Sequence, residues 1–181
     1  AIFSVLTKNQ VVAYFFTYFT SSFIFLFIYK DKLKNDLKNI GNDLNTKNII
    51  IIVLFLVLSF ISNIILVNML NQEASNQEIA VSMLKSFPLL GIPAICLFAP
   101  FVEEIIYRLP YKENWLSIII STIVFTFAHI SNFSLIQMFF LIPYLFLSIS
   151  FSFAYFKNEN IILSTTTHIL NNLISIVLLL I

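Results

Sequence analysis

The chain has 181 residues, of which 59% are hydrophobic and only 10% are charged, and its mean hydropathy is +0.94. A soluble domain carries about 25% charged residues, so water is not the expected solvent for most of this surface. The formal net charge of +1 excludes the basic excess that nucleic acid binding requires. The single cysteine, Cys96, excludes an internal disulfide and a zinc site built from two or more thiolates.

Six apolar stretches are long enough, or nearly long enough, to cross a membrane as helices, since a bilayer core about 30 Å thick needs about 20 apolar residues. In chain order they are residues 11–29, 49–70, 87–111, 115–130, 133–156 and 161–181. No internal repeat and no long linker divides the chain. The predicted fold is therefore all-α, with one transmembrane domain over residues 1–181. We expect a polytopic transmembrane helical bundle of about six membrane helices that encloses a polar intramembrane cavity.

The loops carry their charges unevenly, which predicts how the chain is oriented. Residues 30–47 hold five lysines, whereas residues 71–86 hold Lys85 against Glu73 and Glu78. By the positive-inside rule the first of these loops faces the cytoplasm, and it is the one place for an amphipathic surface helix. Alternation of the spans then puts three further basic residues on the cytoplasmic side: Arg108, Lys112 and Lys157. The sequence predicts a multi-pass cell membrane protein.

Ionisable groups inside a membrane are costly, and they are kept mostly where they pair with one another or function. The predicted spans contain few such groups. They are Glu103, Glu104, Arg108, His129 and His168, with the amides Asn171 and Asn172 beside the last.

The two adjacent carboxylates, Glu103 and Glu104, allow two interpretations. They form a solvated helix end beside Arg108, or they belong to a site within the membrane. The apolar stretch before them, residues 87–102, is about 24 Å long as a helix, which is too short to span and therefore draws them into the membrane. Since Glu104 precedes Arg108 by four residues, we expect this pair to form a bidentate contact. Glu103 points about 100° away and stays free for chemistry.

The histidines also have a plain structural interpretation. His129 at the end of an apolar helix is typical of an interfacial histidine, and His168 four residues before Asn172 is typical of an interhelical hydrogen-bonded pair. Against this, helix geometry puts Glu103, His168 and Asn172 near the middle of the membrane. His129 is expected about 21 Å into the fourth span, so it reaches the others only if that helix is tilted or bent, or if a funnel reaches deep into the membrane.

Three motifs on successive apolar segments resemble those of the CAAX-processing endopeptidase and bacteriocin-processing family, also called the Abi family. The motifs are EExxxR at residues 103–108, FxxxH at residues 125–129 and HxxxN at residues 168–172. The resemblance covers roughly residues 87–181, which we interpret as a catalytic core. One departure is Leu109, which follows Arg108 where many members have a glycine.

The resemblance implies an intramembrane endopeptidase that cleaves a peptide bond near the terminus of a membrane-associated protein or peptide. It implies that Glu103, with His129, activates a water molecule for attack on the carbonyl carbon. It also implies that His168 and Asn172 stabilise the oxyanion. Two further residues would support the helix of the first glutamate or contact substrate: Glu104 and Arg108.

The cofactor requirement stays open at this point. The HExxH motif of zinc peptidases is absent from the chain. Glu103, His129 and His168 nevertheless offer three oxygen and nitrogen ligands of the kind that zinc binds. We predict a glutamate mechanism without a metal or other cofactor, with a zinc enzyme as the alternative.

Two other functions explain part of the pattern. A membrane protein that binds a peptide without cutting it, such as a bacteriocin immunity or scaffold protein, would also need a cavity. A transporter with a proton-relay carboxylate would place Glu103 in the membrane too, but it predicts inverted repeats, and only the break at residues 88–93 is seen.

The expected partners are the lipid bilayer and protein or peptide substrates, including lipidated ones. The composition is rich in Lys, Asn, Ile and Phe and poor in Gly, which fits an AT-rich bacterium. The family resemblance implies that the site is reached from the cytoplasmic side or from the membrane.

Overall fold

The computed structural model describes residues 9–43, 46–111, 114–157 and 159–180. Within these ranges the chain is almost entirely helical and contains no strand, which confirms the predicted all-α fold. Lys112, Ile181 and two positions of the predicted 30–47 loop lie outside the described residues.

The described residues form ten α-helices and one π-helical segment. In chain order these are α1 (Gln10–Ile28), α2 (Lys30–Asp43), α3 (Thr46–Leu70), α4 (Ser75–Ser86), α5 (Pro88–Pro93), the π-helical segment Ala94–Phe98, α6 (Ala99–Arg108), α7 (Trp115–Ala128), α8 (Leu135–Phe139), α9 (Leu141–Phe156) and α10 (Ile161–Leu180).

Five helical stretches of the described chain are long and apolar enough to cross a membrane. They are Gln10–Ile28, Thr46–Leu70, Pro88–Arg108, Leu135–Phe156 and Ile161–Leu178. Many large apolar side chains on these helices are exposed, as expected where lipid rather than water surrounds the protein. The chain is therefore a multi-pass membrane protein, and the predicted helical bundle is confirmed.

Helix α7 is the sixth apolar segment, and it is too short to span. It has 14 residues, or about 21 Å of helix, and it ends at Ala128, so that His129 follows its last turn. The expectation that His129 reaches the other residues through a tilted or bent fourth helix, or through a deep funnel, stays a prediction.

Prolines interrupt two of the spans. In the third span the N–H of Ala99 bonds to the carbonyl of Ala94, five residues back, which is the π-helical pattern. In the same register the next carbonyl, that of Ile95, would need the N–H of Pro100, and proline has none. In the fifth span Pro143 likewise cannot donate to the carbonyl of Phe139, and the helix is broken between α8 and α9.

The predicted loops 30–47 and 71–86, which connect the first three apolar spans, are both largely helical in the structure. The predicted surface helix is present as α2, and its Leu33 is buried. The buried Asp36 of the same helix accepts a hydrogen bond from the backbone N–H of Ile161 at 2.9 Å, which fixes α2 against the first turn of α10. The predicted loop 71–86 was wrong, because most of it is the helix α4.

Helix α4 packs closely against α5. A Cβ placed on Gly91 would lie 3.2 Å from the carbonyl oxygen of Met83, so only glycine allows this approach without a shift of backbone. The N-terminal end of α4 is held by Gln137, whose side-chain carbonyl accepts a hydrogen bond from the N–H of Ser75 at 3.0 Å. These contacts hold α4 across one end of the bundle.

Candidate active site

The pair Glu104 and Arg108 lies at the centre of the bundle, and neither residue is exposed to solvent. Arg108 Nε donates to Glu104 Oε2 at 3.0 Å, so the predicted i, i+4 pair is confirmed. The predicted bidentate contact was wrong. The other two guanidinium nitrogens bond instead to hydroxyl groups, because serines from two neighbouring helices surround that end of the side chain.

Three serines that the sequence interpretation missed surround the guanidinium group. Arg108 Nη1 donates to Ser121 Oγ at 2.6 Å and to Ser152 Oγ at 3.2 Å, and Nη2 donates to Ser148 Oγ at 3.3 Å. The guanidinium carbon also lies 5.0 Å from the centre of the Phe125 ring, in cation–π range. A buried charge is tolerated when its hydrogen-bonding groups are satisfied in this way.

Glu104 connects this ion pair to the third motif. Its Oε1 accepts from His168 Nδ1 at 3.0 Å, and its Oε2 accepts from the hydroxyl group of Ser164. Ser164 and His168 lie four residues apart on one face of α10. Glu104 therefore fixes the orientation of the His168 ring, which is the role that a carboxylate commonly has behind a functional histidine.

Phe125, the first residue of the second motif, packs between both histidines. It is fully buried, and its ring centre lies 4.2 Å from that of His129 and 5.8 Å from that of His168. The other side of the His168 ring stacks on Phe151 at 4.3 Å. The FxxxH spacing thus has a packing reason, since one aromatic ring sets the position of the two imidazoles.

The hydrogen bonds of the histidines define which nitrogen faces Glu103. His129 Nδ1 lies 2.7 Å from the carbonyl oxygen of Phe125, and a carbonyl only accepts, so Nδ1 carries a proton and donates. His168 Nδ1 donates to Glu104 by the same argument. Glu103 Oε2 then lies 3.7 Å from His129 Nε2 and 3.9 Å from His168 Nε2.

Asn172 is held by the break in the third span. Its Nδ2 donates at 2.9 Å to the carbonyl oxygen of Ile95, the carbonyl that loses its helical partner because Pro100 has no N–H. Its Oδ1 accepts from Asn171 Nδ2 at 3.0 Å. One N–H of the Asn172 amide remains for another acceptor, since an amide nitrogen carries two protons.

A cavity of about 600 Å³ opens beside these groups. Four of the predicted residues line it, namely Glu103, His129, His168 and Asn172. Tyr18 of α1, which the sequence interpretation missed, lines it too, and its Oη lies 3.4 Å from Glu103 Oε1. Glu104 and Arg108 are not among the described residues that line the cavity, so their position favours support over substrate contact.

Among the residues that the structure describes, no group of three His, Cys, Asp or Glu side chains is arranged to hold a metal ion. We therefore derive no step through a metal, and the predicted independence from metal stays a prediction.

The residues that the sequence interpretation missed carry weak signals of their own. Ser148 and Ser152 are four residues apart on α9, and Ser121 precedes Phe125 by four on α7, so hydroxyl groups recur on one helical face. Small hydroxyl residues are common between membrane helices, and without the fold nothing identifies their partner.

Residues 85–174 match the family model described as Type II CAAX prenyl endopeptidase Rce1-like. The matched range contains all three motifs and begins at the end of α4. No curated protein and no solved structure matches the chain.

Proposed function

The chain belongs, over residues 85–174, to the Rce1-like family of type II CAAX prenyl endopeptidases, and we propose that it hydrolyses a peptide bond within the membrane by using Glu103 to activate a water molecule. A peptide or protein substrate follows from membership of a family of proteases. The mechanism rests on one observation above all. The Glu103 carboxylate faces the cavity and lies within 4 Å of the Nε2 atoms of two histidines. Each of these imidazole rings is held by a hydrogen bond from its Nδ1 atom.

The spacing of Glu103 and His129 suits a bridging water. With Nδ1 protonated, His129 Nε2 presents a lone pair, and the Glu103 carboxylate is also an acceptor. The two atoms are 3.7 Å apart, so a water can lie about 2.8 Å from both and direct one proton to each. Its oxygen lone pairs then point into the cavity, toward the carbonyl carbon of a bound peptide. Glu103 takes a proton as the new C–O bond forms.

The oxyanion that forms needs donors on the other side of the carbonyl group. In its doubly protonated form His168 would donate from Nε2, because its Nδ1 already donates to Glu104. The second N–H of Asn172 is an additional donor. Preorganised donors of this kind typically contribute about 10²–10³-fold each to the rate.

Collapse of the tetrahedral intermediate completes the reaction. Glu103 returns the proton to the amide nitrogen, the C–N bond breaks, and a carboxylic acid and an amine leave. Oxygen and hydrogen balance with one water consumed, and no redox partner is required. The buried ion pair of Glu104 and Arg108 does not change its charge in this scheme, which agrees with its position behind the site.

The finer features of the substrate belong to the same proposal. We expect a membrane-associated protein or peptide, including lipidated ones, cut near a terminus, because the site lies within the apolar part of the bundle. A bacterial source fits the composition, in which 21 of 181 residues are Phe and only 2 are Gly.

A cleavage assay tests the proposal. The purified protein in lipid vesicles is incubated with a library of membrane-tethered peptides, with and without a strong chelator, and products are identified by mass spectrometry. We expect cleavage by the wild type, unchanged by the chelator and lost in His168→Ala. Loss on chelation would make the reaction metal-dependent, against the proposed mechanism. Retention of peptide with no cleavage under any condition would identify a peptide-binding protein instead.

A further inference from the structure

The exposed apolar face of α3 is as tall as the core of an ordinary membrane. Its large exposed side chains begin at Ile49 and end at Met69, which lie about 30 Å apart along the helix axis. The hydrocarbon core of a typical bilayer is also about 30 Å thick. On this side of the bundle the protein and the bilayer therefore match in thickness.

The exposed apolar face of α7 is much shorter. It begins at Trp115 and ends at Phe127, which lie about 18 Å apart along the axis, about 12 Å less than on α3. The side chains between these two ends are apolar and exposed as well, so the face is continuous. They are Leu116, Ile119, Ile120, Ile123 and Val124.

Polar groups close the short face at both ends. Before α7, the exposed Asn114 caps the helix, and its side chain accepts a hydrogen bond from the N–H of Ser117 at 2.8 Å. After α7, residues 129–134 are not helical, and Ser131 and Asn132 are exposed. Irregular backbone that faces lipid would leave its N–H and C=O groups unpaired, which the hydrocarbon core does not tolerate. The hydrocarbon beside α7 must therefore end close to both ends of this helix.

We propose that the bilayer is locally thinned beside α7, and that this face binds phospholipids with short acyl chains in preference to those with long chains. Helix α9 packs against both α3 and α7, so the two faces belong to one continuous lipid-facing surface. A bilayer adapts to a short apolar segment by becoming thinner, and each ångström of mismatch costs free energy. Short acyl chains reduce that cost beside α7 but bring no gain beside α3.

The short face ends at the level of the candidate active site. His129 directly follows the last residue of α7, and its Nε2 lies 3.7 Å from Glu103 Oε2. The thinned bilayer therefore has its polar boundary beside the site rather than several ångströms beyond it. This inference goes beyond the proposed function and does not rest on it, because the length of the face and its polar ends carry the argument.

The native tryptophan reports on the lipid beside α7 without any substitution. Trp115 is the one tryptophan of the chain, and it is 76% exposed at the first turn of α7. The protein is reconstituted with brominated dioleoyl phosphatidylcholine, which quenches tryptophan fluorescence on contact. Unlabelled dimyristoleoyl, dioleoyl or dierucoyl phosphatidylcholine is then mixed in. The recovery of fluorescence gives the binding constant of each unlabelled lipid relative to the brominated one.

A matched reporter on α3 provides the control. Trp115→Phe removes the native signal, and Ile50→Trp in that background places a tryptophan near the beginning of α3, where the native side chain is 61% exposed. Leu54→Trp, at another exposed position of the same face, replaces Ile50→Trp if that variant fails to fold. Both reporters then lie on lipid-facing helices of the same bundle and differ in the height of the apolar face.

We expect the lipid at Trp115 to favour dimyristoleoyl over dierucoyl phosphatidylcholine by at least about threefold, because the shorter chains relieve the mismatch. Ile50→Trp should show no such preference. Equal or tighter binding of dierucoyl phosphatidylcholine at Trp115, or the same short-chain preference at both reporters, would overturn the inference. So would Trp115 fluorescence that the brominated lipid does not quench, since the face would then not contact lipid. Lipid binding needs no turnover, so a protein that cleaves no peptide but shows the expected preference would refute only the peptidase proposal.

Discussion

Replacement of Arg108 by methionine should destabilise the protein strongly. Arg108 is fully buried and, among the described residues, supplies the one permanent cation in direct contact with the Glu104 carboxylate. In Arg108→Met that carboxylate keeps hydrogen bonds from Ser164 and His168 but loses its permanently charged partner. Methionine fills part of the volume, so the main cost is electrostatic.

The magnitude follows from the burial of the pair. Removing one partner of a buried ion pair typically costs about 3–5 kcal/mol, because the remaining charge stays uncompensated. For a chain of this length each kcal/mol corresponds to about 2–4 °C in melting temperature, so we expect a decrease on the order of 10 °C. The exposed Lys38→Met is the matched control and should stay within about 0.5 kcal/mol of the wild type.

A double-mutant cycle separates the charge from the packing. Glu104→Gln alone leaves the guanidinium group unpaired and should also destabilise, whereas the double variant removes both charges. We expect the double variant to lose at least about 1 kcal/mol less than the sum of the single losses. Thermal unfolding in one detergent measures all four proteins. Strictly additive losses, or an Arg108→Met melting temperature within about 2 °C of the wild type, would refute the account of a buried pair.

Two further substitutions probe the cavity itself. Tyr18→Phe removes the hydroxyl group next to Glu103 and should lower kcat by about 2- to 10-fold. The control Tyr29→Phe lies outside the cavity and should leave kcat unchanged. Equal kcat values for the two variants would contradict a functional contact between Tyr18 and Glu103. Asn172→Ala should lower kcat by about 10²–10³-fold and also cost about 1–3 kcal/mol of stability, because the Ile95 carbonyl loses its donor. A kcat that stays near the wild-type value in steady-state assays would restrict Asn172 to a structural role.

Spacing along helices allowed the central contacts to be predicted. Glu104 and Arg108 pair because four residues make slightly more than one helical turn, and Glu103 faces elsewhere for the same reason. The apolar spans were also predictable, since their hydropathy reflects the bilayer directly. These features depend on local sequence alone.

Helix α4 was missed because its signal is weak at the level of sequence. Its residues Ser75–Ser86 mix Ser, Asn, Gln and Glu with a few apolar residues, a composition typical of loops. What fixes it as a helix is tertiary packing, including the close approach to Gly91. Tertiary contacts of this kind override local propensity.

The serine cluster around Arg108 and the orientation of Asn172 depend on more than one helix. Ser121 and Ser148 come from different helices, so their convergence is a property of the bundle. The Ile95 carbonyl is available to Asn172 because of the π-helical register before Pro100, and a sequence with prolines at both ends of this segment does not specify that register.

The role of Glu103 as the base is tested by the turnover of Glu103→Gln, measured with a cleaved peptide in lipid beside the wild type. Glutamine keeps the shape of the side chain but cannot take a proton from water, so we predict a loss of at least about 10²-fold in kcat. We expect the melting temperature to stay within about 2 °C of the wild-type value, because Glu103 lies at the cavity surface rather than in the buried ion pair. A Glu103→Gln variant that cleaves within tenfold of the wild-type rate would contradict the assignment of Glu103 as the base.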